Sequence, residues 1–219
     1  MLFLSDNGGT AQVIERSKGA SPGNPESYLS YGQPWANMSN TPFVKYKKWV
    51  HEGGISTPLI VSWPAAIRRG GGLIHDMAHV IDLMPTVLEA SGAEYPKTHK
   101  GRAILPLEGA SLMPLVRGKT RKAPDAYYWE HDGRSAVRQG KWKLVKGDTG
   151  SWELYDMDAD RTETTNLAEA SPDKVRQLSE MYDKWATRCN VEPFRKVQAA
   201  IRRKAATQPR PSTTSKPED

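Results

Sequence analysis

The chain has 219 residues, of which 37% are hydrophobic, and 31 lysine and arginine residues against 25 aspartate and glutamate residues give it a formal net charge of +6. No apolar run is long enough to cross a membrane as a helix, so no membrane span is predicted. The single cysteine, Cys189, excludes an intramolecular disulfide. Much of the excess basic charge lies near the C-terminus beside alanine and proline rather than aromatic residues, which predicts a solvated basic helix end with a disordered tail and no specific nucleic-acid partner.

The first predicted element is a short apolar run that ends abruptly at Asp6, Asn7, Gly8 and Gly9. The run is typical of a buried strand, and the two glycines allow the backbone to turn at once. Ligands collect at the carboxyl ends of strands in open α/β sheets, so a hard cation or an anionic substrate would lie beside Asp6 and Asn7. Taken alone, these residues are more typical of an ordinary turn between a strand and a loop.

Residues 10–44 lack hydrophobic periodicity and contain many glycine, proline, serine and asparagine residues, which predicts a long loop. A basic stretch that includes Lys47 follows and leads into Glu-Gly-Gly at residues 52–54. Residues 59–63 then form a second apolar run, opened by Pro58, that predicts another buried strand. A loop of this length in a compact enzyme is usually functional, and this loop connects the two candidate segments.

Residues 80–91 predict a helix, with Asp82 as its cap and Gly92 as its stop signal. Beyond residue 124 the pattern changes to short strands separated by glycine-bearing turns, at residues 127–129, 134–138, 142–146 and 152–156. A further helix is predicted over residues 171–186. Residues 156–160 resemble the start of an EF-hand loop, but Arg161 stands where that loop needs glycine, which predicts a turn instead. The predicted fold class is therefore α/β, followed by a small antiparallel sheet with a packed helix.

Several of these segments together resemble the C-terminal half of a type I sulfatase, in the alkaline-phosphatase-like superfamily. The sulfatase pattern Lys-x-x-x-x-Glu-Gly-Gly falls on Lys47 and residues 52–54, and this spacing selects Lys47 from its neighbours Lys45 and Lys48. The Ser-Asp-Asn-Gly-Gly of residues 5–9 also fits the family. The resemblance continues in order through residues 82–86, 107–112, 136–144, 153–156 and 166–167. Ordered matches of this number are specific, whereas each match alone would be weak.

The resemblance implies a role for each candidate site residue. Lys47 would be catalytic and substrate-binding, with its ammonium set against the sulfate ester, and Asp6 and Asn7 would bind calcium, which prefers oxygen ligands. His51 lies close to Lys47 in the sequence and is a candidate for substrate binding or for a hydrogen bond behind the site. His131 could bind substrate or protonate a leaving group, or it could be an ordinary turn histidine.

The resemblance also implies a formylglycine nucleophile, made from a cysteine or serine in a Cys/Ser-x-Pro/Ala-x-Arg motif of the N-terminal half. Cys189 is not followed by the required residues, and no serine equivalent of the motif occurs in this sequence. The chain is therefore expected to be a fragment of a periplasmic or secreted sulfatase that is inactive alone, with Met1 an internal methionine or a truncated start. Its expected substrate is a sulfate-ester small molecule or glycan.

Three regions are predicted. Residues 1–123 would be the C-terminal part of the α/β catalytic domain, residues 124–195 the antiparallel β subdomain with its packed helix, and residues 196–219 a basic disordered tail. Two alternatives to a sulfatase are open. A phosphonate or phosphate monoester hydrolase of the same superfamily would bind tetrahedral anions of the same geometry, and a non-catalytic remnant would act only as a binding or structural module.

Overall fold

The computed structural model describes residues 1–13, 19, 21, 23–30, 32–67 and 70–207. Its N-terminal part contains two short antiparallel strands, β1 (Leu2–Leu4) and β2 (Leu59–Val61). Between them in sequence lie two helices, α1 (Gly32–Asn40) and α2 (Glu52–Ile55). Leu4 pairs with Leu59, so the residues that follow β1 lie beside those that precede β2.

The two strands are less buried than the sequence predicts. Phe3 is 62% exposed and Ile60, directly opposite, is 53% exposed. Within the described part of the chain each strand pairs only with the other, so their side chains find few apolar neighbours. The second strand also ends at Val61, two residues before the end of the predicted run.

Helix α1 lies inside the region that the sequence predicts to be loop, so that prediction is wrong for residues 32–40. Ala36 is 0% exposed, and the Ser39 hydroxyl donates to the carbonyl of Trp35 at 2.8 Å. Burial of this small face outweighs the low helix propensity of the glycine, proline and asparagine residues. Residues 14–18, 20, 22 and 31 of the predicted loop lie outside the described part.

The predicted helix over residues 80–91 is confirmed in two pieces. A 3₁₀ turn (Val80–Asp82) runs directly into helix α3 (Leu83–Ser91), which ends at Gly92 with a φ of 70°. Asp82 does act as a cap, but for the 3₁₀ turn, since its carboxylate accepts a hydrogen bond from the His79 backbone at 2.9 Å. A hairpin of β3 (Thr98–His99) and β4 (Arg102–Ala103) and the short helix α4 (Met113–Val116) follow.

The predicted strands and helix beyond residue 124 are all confirmed. Strands β5 (Tyr127–His131), β6 (Arg134–Gln139), β7 (Trp142–Lys146) and β8 (Trp152–Asp156) form an antiparallel sheet in chain order. Helix α5 (Pro172–Arg188) follows. The turn between β5 and β6 has positive φ at Asp132 and Gly133, 53° and 84°, which is the backbone conformation that a tight hairpin needs.

Both faces of this sheet are covered. One face packs against α5, through Val137, Leu144, Leu154, Leu178 and Tyr182. The opposite face packs against Val50, in the segment before α2, through Ala136, Val145, Tyr155 and Met157. Val50 is only 1% exposed, so the sheet supports the segment that carries Lys47.

The disordered tail predicted over residues 196–219 is wrong for its first part, because helix α6 (Phe194–Thr207) occupies residues 196–207. Alanine, arginine, lysine and glutamine dominate this stretch and are strong helix formers. An ion pair of 2.7 Å between Lys196 and Glu192 adds local support at the start of the helix. Residues 208–219 lie outside the described part.

Among the described residues, no helix combines the length and the apolar character that crossing a bilayer requires.

Candidate active site

A cavity of about 500 Å³ lies where the end of β1 meets the segment between α1 and β2. Asp6, Asn7 and Lys47 all line it, although about forty residues separate Lys47 from the other two. The full lining comprises residues 5–10, 39–41, 43, 47, 53 and 56–58. The structure thus brings together three of the residues that the sequence predicts to form the site.

Backbone hydrogen bonds hold the two segments of the cavity against each other. The amide of Gly8 donates to the carbonyl of Gly54 at 3.0 Å, and the amide of Lys47 donates to the carbonyl of Gly9 at 2.9 Å. Asn40 connects the same segments through its side chain, which accepts from the Gly9 amide at 2.9 Å. Its amide group in turn donates to the carbonyl of Lys45 at 3.1 Å. These contacts fix the backbone beneath Asp6, Asn7 and Lys47.

Glycine is required where these segments touch. A Cβ atom on Gly8 would lie 1.8 Å from the carbonyl oxygen of Gly53. A Cβ atom on Gly53 would lie 2.2 Å from the carbonyl oxygen of Lys45 and 2.3 Å from that of Val44. All three distances are far shorter than any real contact of a Cβ atom, so the Gly-Gly of residues 53–54 serves close backbone approach.

Two cations pack against the ring of Trp49 in the segment that presents Lys47. The Lys45 ammonium lies 4.4 Å and the Arg134 guanidinium 4.6 Å from the centre of the Trp49 ring. Lys45 and Lys48 both have positive φ, 70° and 80°. Such angles are costly for residues with a side chain and persist only where surrounding contacts enforce them. The backbone on both sides of Lys47 is therefore held in a single, constrained conformation.

The polar side chains in the cavity are available for a ligand. Among the described residues, the Asp6 carboxylate, the Asn7 amide and the Lys47 ammonium have no hydrogen bond or ion pair to another side chain. The cavity therefore offers an ammonium that can bind an anion and two oxygen donors that suit a hard cation.

His51, predicted to bind substrate, does not line the cavity. It is 4% exposed, and its Nε2 atom lies 3.2 Å from the carboxylate of Glu153 on β8. Burial lowers the pKa of His51 below its ordinary value, although the carboxylates of Glu163 and Glu153 partly oppose the effect. The structure therefore places His51 behind the Lys47 segment, in the hydrogen-bonded position that the sequence left as the alternative.

His131 is also remote from the cavity lining. It is the last residue of β5, its side chain is 51% exposed, and its Nε2 atom lies 3.8 Å from Asp132. The structure thus gives it the environment of a turn histidine, and substrate binding by His131 stays a prediction that the geometry does not support.

A buried ion cluster beneath the cavity was not predicted from the sequence. Lys143 on β7 is 0% exposed, and its ammonium lies 2.8 Å from Glu52 and 2.7 Å from Glu163. Glu163 also accepts a hydrogen bond of 2.7 Å from the backbone amide of Glu52, at the start of α2. The three residues join the small sheet to the segment that lines the cavity.

The charges in this cluster are mutually dependent. Burial alone would raise the pKa of Glu52, but the Lys143 ammonium, helped by Arg138 and Arg161, outweighs burial and holds the pKa below its ordinary value. One signal for the cluster was present in the sequence. Lys143 stands in a predicted strand beside apolar Leu144 and Val145, and a lysine that such a strand buries requires a carboxylate partner.

Comparison with known proteins supports one family. The family described as N-sulphoglucosamine sulphohydrolase, C-terminal, matches residues 44–187, which include Lys47. An uncharacterized sulfatase of Schizosaccharomyces pombe is 32% identical over 205 residues, covering 83% of this chain and 36% of that protein. An N-acetylglucosamine-6-O-sulfatase of Bacteroides thetaiotaomicron is 32% identical over 135 residues, covering 55% of this chain and 23% of that protein. The chain therefore spans about a third or less of the length of these relatives.

Solved structures agree at the level of the fold. The crystal structure of Ps i-CgsB, also solved in complex with k-i-k-neocarrahexaose, has a TM-score of 0.60 at 20% identity and covers 84% of this chain and 36% of its own. A protein in complex with its substrate D-glucosamine-2-N,6-O-disulfate has a TM-score of 0.51 at 24% identity, covering 68% of this chain and 32% of its own. The fold is thus that of the C-terminal part of an alkaline-phosphatase-like sulfatase, including its small antiparallel sheet. Since the family match extends over residues 44–187, the chain belongs to the sulfatase family and corresponds to its C-terminal part.

Proposed function

We propose that this chain is the C-terminal part of a calcium-dependent sulfatase that hydrolyses sulfate esters with a formylglycine nucleophile. The observation that carries the proposal is the convergence of Asp6, Asn7 and Lys47 on one cavity, with no side-chain partner for any of them among the described residues. The nucleophile is expected from the family and has no counterpart in this sequence. The proposal therefore assigns to this chain the groups that bind and stabilise the ester.

Lys47 has the chemistry to stabilise the transition state. Cleavage of the S–O bond moves negative charge onto the bridging and terminal oxygens of the ester, and a fixed cation beside those oxygens lowers the barrier. The constrained backbone on either side of Lys47, whose amide donates to the carbonyl of Gly9 at 2.9 Å, fixes the point from which the side chain extends toward the ester.

Asp6 and Asn7 fit a calcium ion by ligand type. Calcium takes about six to eight oxygen ligands, and a carboxylate with a neighbouring amide supplies two of the preferred kind. No group of three or more histidine, cysteine, aspartate or glutamate side chains in the described part could hold a metal alone. The other ligands would come from the ester, water or residues outside this chain. When bound, the ion would supply positive charge to the ester oxygens.

The proposed substrate is a sulfated sugar or aryl sulfate. Relatives with these activities in their names include the N-acetylglucosamine-6-O-sulfatase and an arylsulfatase of Klebsiella aerogenes, which is 37% identical over 100 residues. A cavity of about 500 Å³ with polar walls is large enough for a sulfated monosaccharide. A periplasmic or secreted location, where such sugars are met, is part of the same proposal.

The test uses the enzyme expressed with the complete reading frame that contains this chain. Lys47→Ala should lower kcat/KM for an aryl sulfate by about 100- to 1000-fold, because one stabilising group at a developing anion contributes about that much. Asp6→Ala should raise the calcium concentration needed for half-maximal activity. Lys48→Ala is the matched control, since Lys48 is the neighbouring lysine, its side chain is exposed and it does not line the cavity.

Near-normal turnover by the Lys47 variant would refute its catalytic role. The same enzyme should be assayed with an aryl phosphate and an aryl phosphonate at equal concentration. Higher kcat/KM for either of these esters than for the sulfate would assign the chain to a different hydrolase of the superfamily.

A further inference from the structure

Arg161 lies against the border of the cavity without lining it. It belongs to the turn after β8, and its guanidinium is 4.9 Å from the centre of the Phe43 ring. Its Nη2 atom donates a hydrogen bond of 3.0 Å to the hydroxyl of Ser56. Phe43 and Ser56 both line the cavity. The turn after the small sheet therefore places a guanidinium next to residues that line the cavity.

Most of the hydrogen-bonding capacity of this guanidinium is unused. The side chain is 53% exposed, and its Nε atom is 3.7 Å from the carboxylate of Glu52, which is longer than a hydrogen bond. Among the described residues, Nη1 has no partner. A guanidinium carries five N–H donors in a planar fork, so several donors face solvent beside the cavity.

The charge of Glu52 occupies little of this guanidinium. The Lys143 ammonium, which Glu52 shares with Glu163, is the nearer cation at 2.8 Å, and Arg161 only helps it hold the pKa of Glu52 below its ordinary value. At 3.7 Å from the carboxylate, Arg161 commits none of its N–H groups to a hydrogen bond with Glu52. The ring of Phe43 and the hydroxyl of Ser56 instead hold the guanidinium plane in place while leaving one edge open.

We propose that Arg161 binds a second anionic group of the substrate, a sulfate or a carboxylate, outside the subsite of the reacting sulfate at Lys47. The fork geometry of a guanidinium suits bidentate hydrogen bonding to either group. The inference rests on the proposed function for the first anion, whereas the second subsite depends only on contacts of Arg161. It makes a multiply charged sugar, rather than a monosulfated one, the preferred ligand of this chain.

The test is a titration of purified chain 1–219, followed by NMR, with two probes. These are D-glucosamine-2-N,6-O-disulfate and D-glucosamine-6-O-sulfate. Arg161→Gln should weaken binding of the disulfated sugar about tenfold, the loss expected for a charge-assisted hydrogen bond, and should change binding of the monosulfated sugar less than twofold. Arg161→Lys, which keeps the charge and loses the fork, should give an intermediate affinity.

Arg117→Gln is the matched control. Arg117 has a similar exposure, 51%, and pairs with a glutamate, Glu89, at 2.8 Å, but it does not line the cavity or contact its lining. This variant should bind both sugars as the parent does. The thermal unfolding temperature of Arg161→Gln should stay within a few degrees of the parent, which separates a binding role from a structural one.

Two results would overturn the inference: an equal loss of affinity for both sugars in Arg161→Gln, or no preference of the parent chain for the disulfated sugar. Lys47→Ala, titrated in parallel, should weaken both sugars by a similar factor. If it weakens neither while Arg161→Gln remains selective, the proposed function is what fails, and the second anion subsite stands.

Discussion

The ammonium of Lys143 is fully buried, and its ion pairs with two carboxylates offset the free-energy cost of removing it from water. Its ammonium contacts Glu52 and Glu163 at 2.8 and 2.7 Å. Removing one member of a buried ion cluster leaves the others without compensation, which costs about 3–5 kcal/mol. Lys143→Met should therefore lower the free energy of unfolding by about that amount, measured by urea denaturation at pH 7.

A lysine two residues away provides the control. Lys141 pairs with Asp156 at 2.6 Å, but its side chain is 46% exposed. Lys141→Met should leave the free energy of unfolding nearly unchanged, because exposed ion pairs contribute little. A similar effect from the two substitutions would mean that the buried cluster does not depend on its lysine.

Whether a residue of the candidate site could be predicted depends on how far along the chain its contacts lie. The meeting of Asp6, Asn7 and Lys47 at one cavity could be predicted because each stands in a short motif that resembles the sulfatases. The pairing of Lys143 with Glu163 could not be predicted, because neither residue has a local pattern that names the other. Arg161 was visible in the sequence only as a residue that breaks an EF-hand pattern, since its contacts with Phe43 and Ser56 arise only in the folded chain.

At the scale of elements, α2 is a single helical turn at which three backbone segments come into close contact. These segments are residues 8–9, residues 44–45 and the turn itself. Its second residue, Gly53, has no room for a Cβ atom, with carbonyl oxygens at 2.2 and 2.3 Å from the position of that atom. Gly53→Ala should therefore force the segments apart. We expect faster hydrogen exchange at the amides of Gly8 and Lys47, which donate across this junction, together with a lower unfolding temperature.

Gly72→Ala tests whether these effects come from the junction. Gly72 lies in the connection before α3, and a Cβ atom there would meet no heavy atom within 4 Å. Exchange at Gly8 and Lys47 should match the parent in this variant. If Gly53→Ala also matched the parent, the close approach seen at α2 would not constrain the cavity.

Elements with turn residues and apolar patterns in their own sequence could be predicted. Elements that depend on contacts with other parts of the folded chain could not. Strands β6, β7 and β8 each follow a glycine-bearing turn, and the observed positions at Trp142–Lys146 and Trp152–Asp156 match the prediction at both ends. Helix α1 contains poor helix formers, and the burial of Ala36 in the folded chain stabilises it. Burial of one small residue leaves no periodic hydrophobic signal in the sequence.

For the molecule as a whole, buried ionisable groups make stability depend on pH. Burial lowers the pKa of His51, and burial likewise lowers that of His79 against an opposing effect of Asp82. An unfolded histidine titrates near pH 6.5. As the pH falls below about 6.5, these two histidines therefore bind protons in the unfolded chain before they do so in the folded chain. The stability contributed by a neutral histidine is thus complete above that pH and is lost below it.

The pKa of Glu52 is also lowered, so the stability that its carboxylate contributes is complete above about pH 4.5 and is lost below that pH.

We therefore expect the free energy of unfolding to fall between pH 7 and pH 5, with a slope of at most about 1.4 kcal/mol per pH unit for each proton difference. His51→Gln should reduce that slope, measured by urea denaturation at pH 7, 6 and 5. His131→Gln, an exposed site, should not change the slope. An unaltered slope in the His51 variant would show that its burial does not control the acid sensitivity.

Because both faces of the small sheet are covered, substitutions in the sheet should affect activity at a distance from the cavity. Ala136 and Val145 do not line the cavity, yet they pack against Val50 in the segment that presents Lys47. A genetic screen for lost activity would therefore recover substitutions in β6 and β7 beside those in the cavity, and the two groups would separate by protein abundance in the cell.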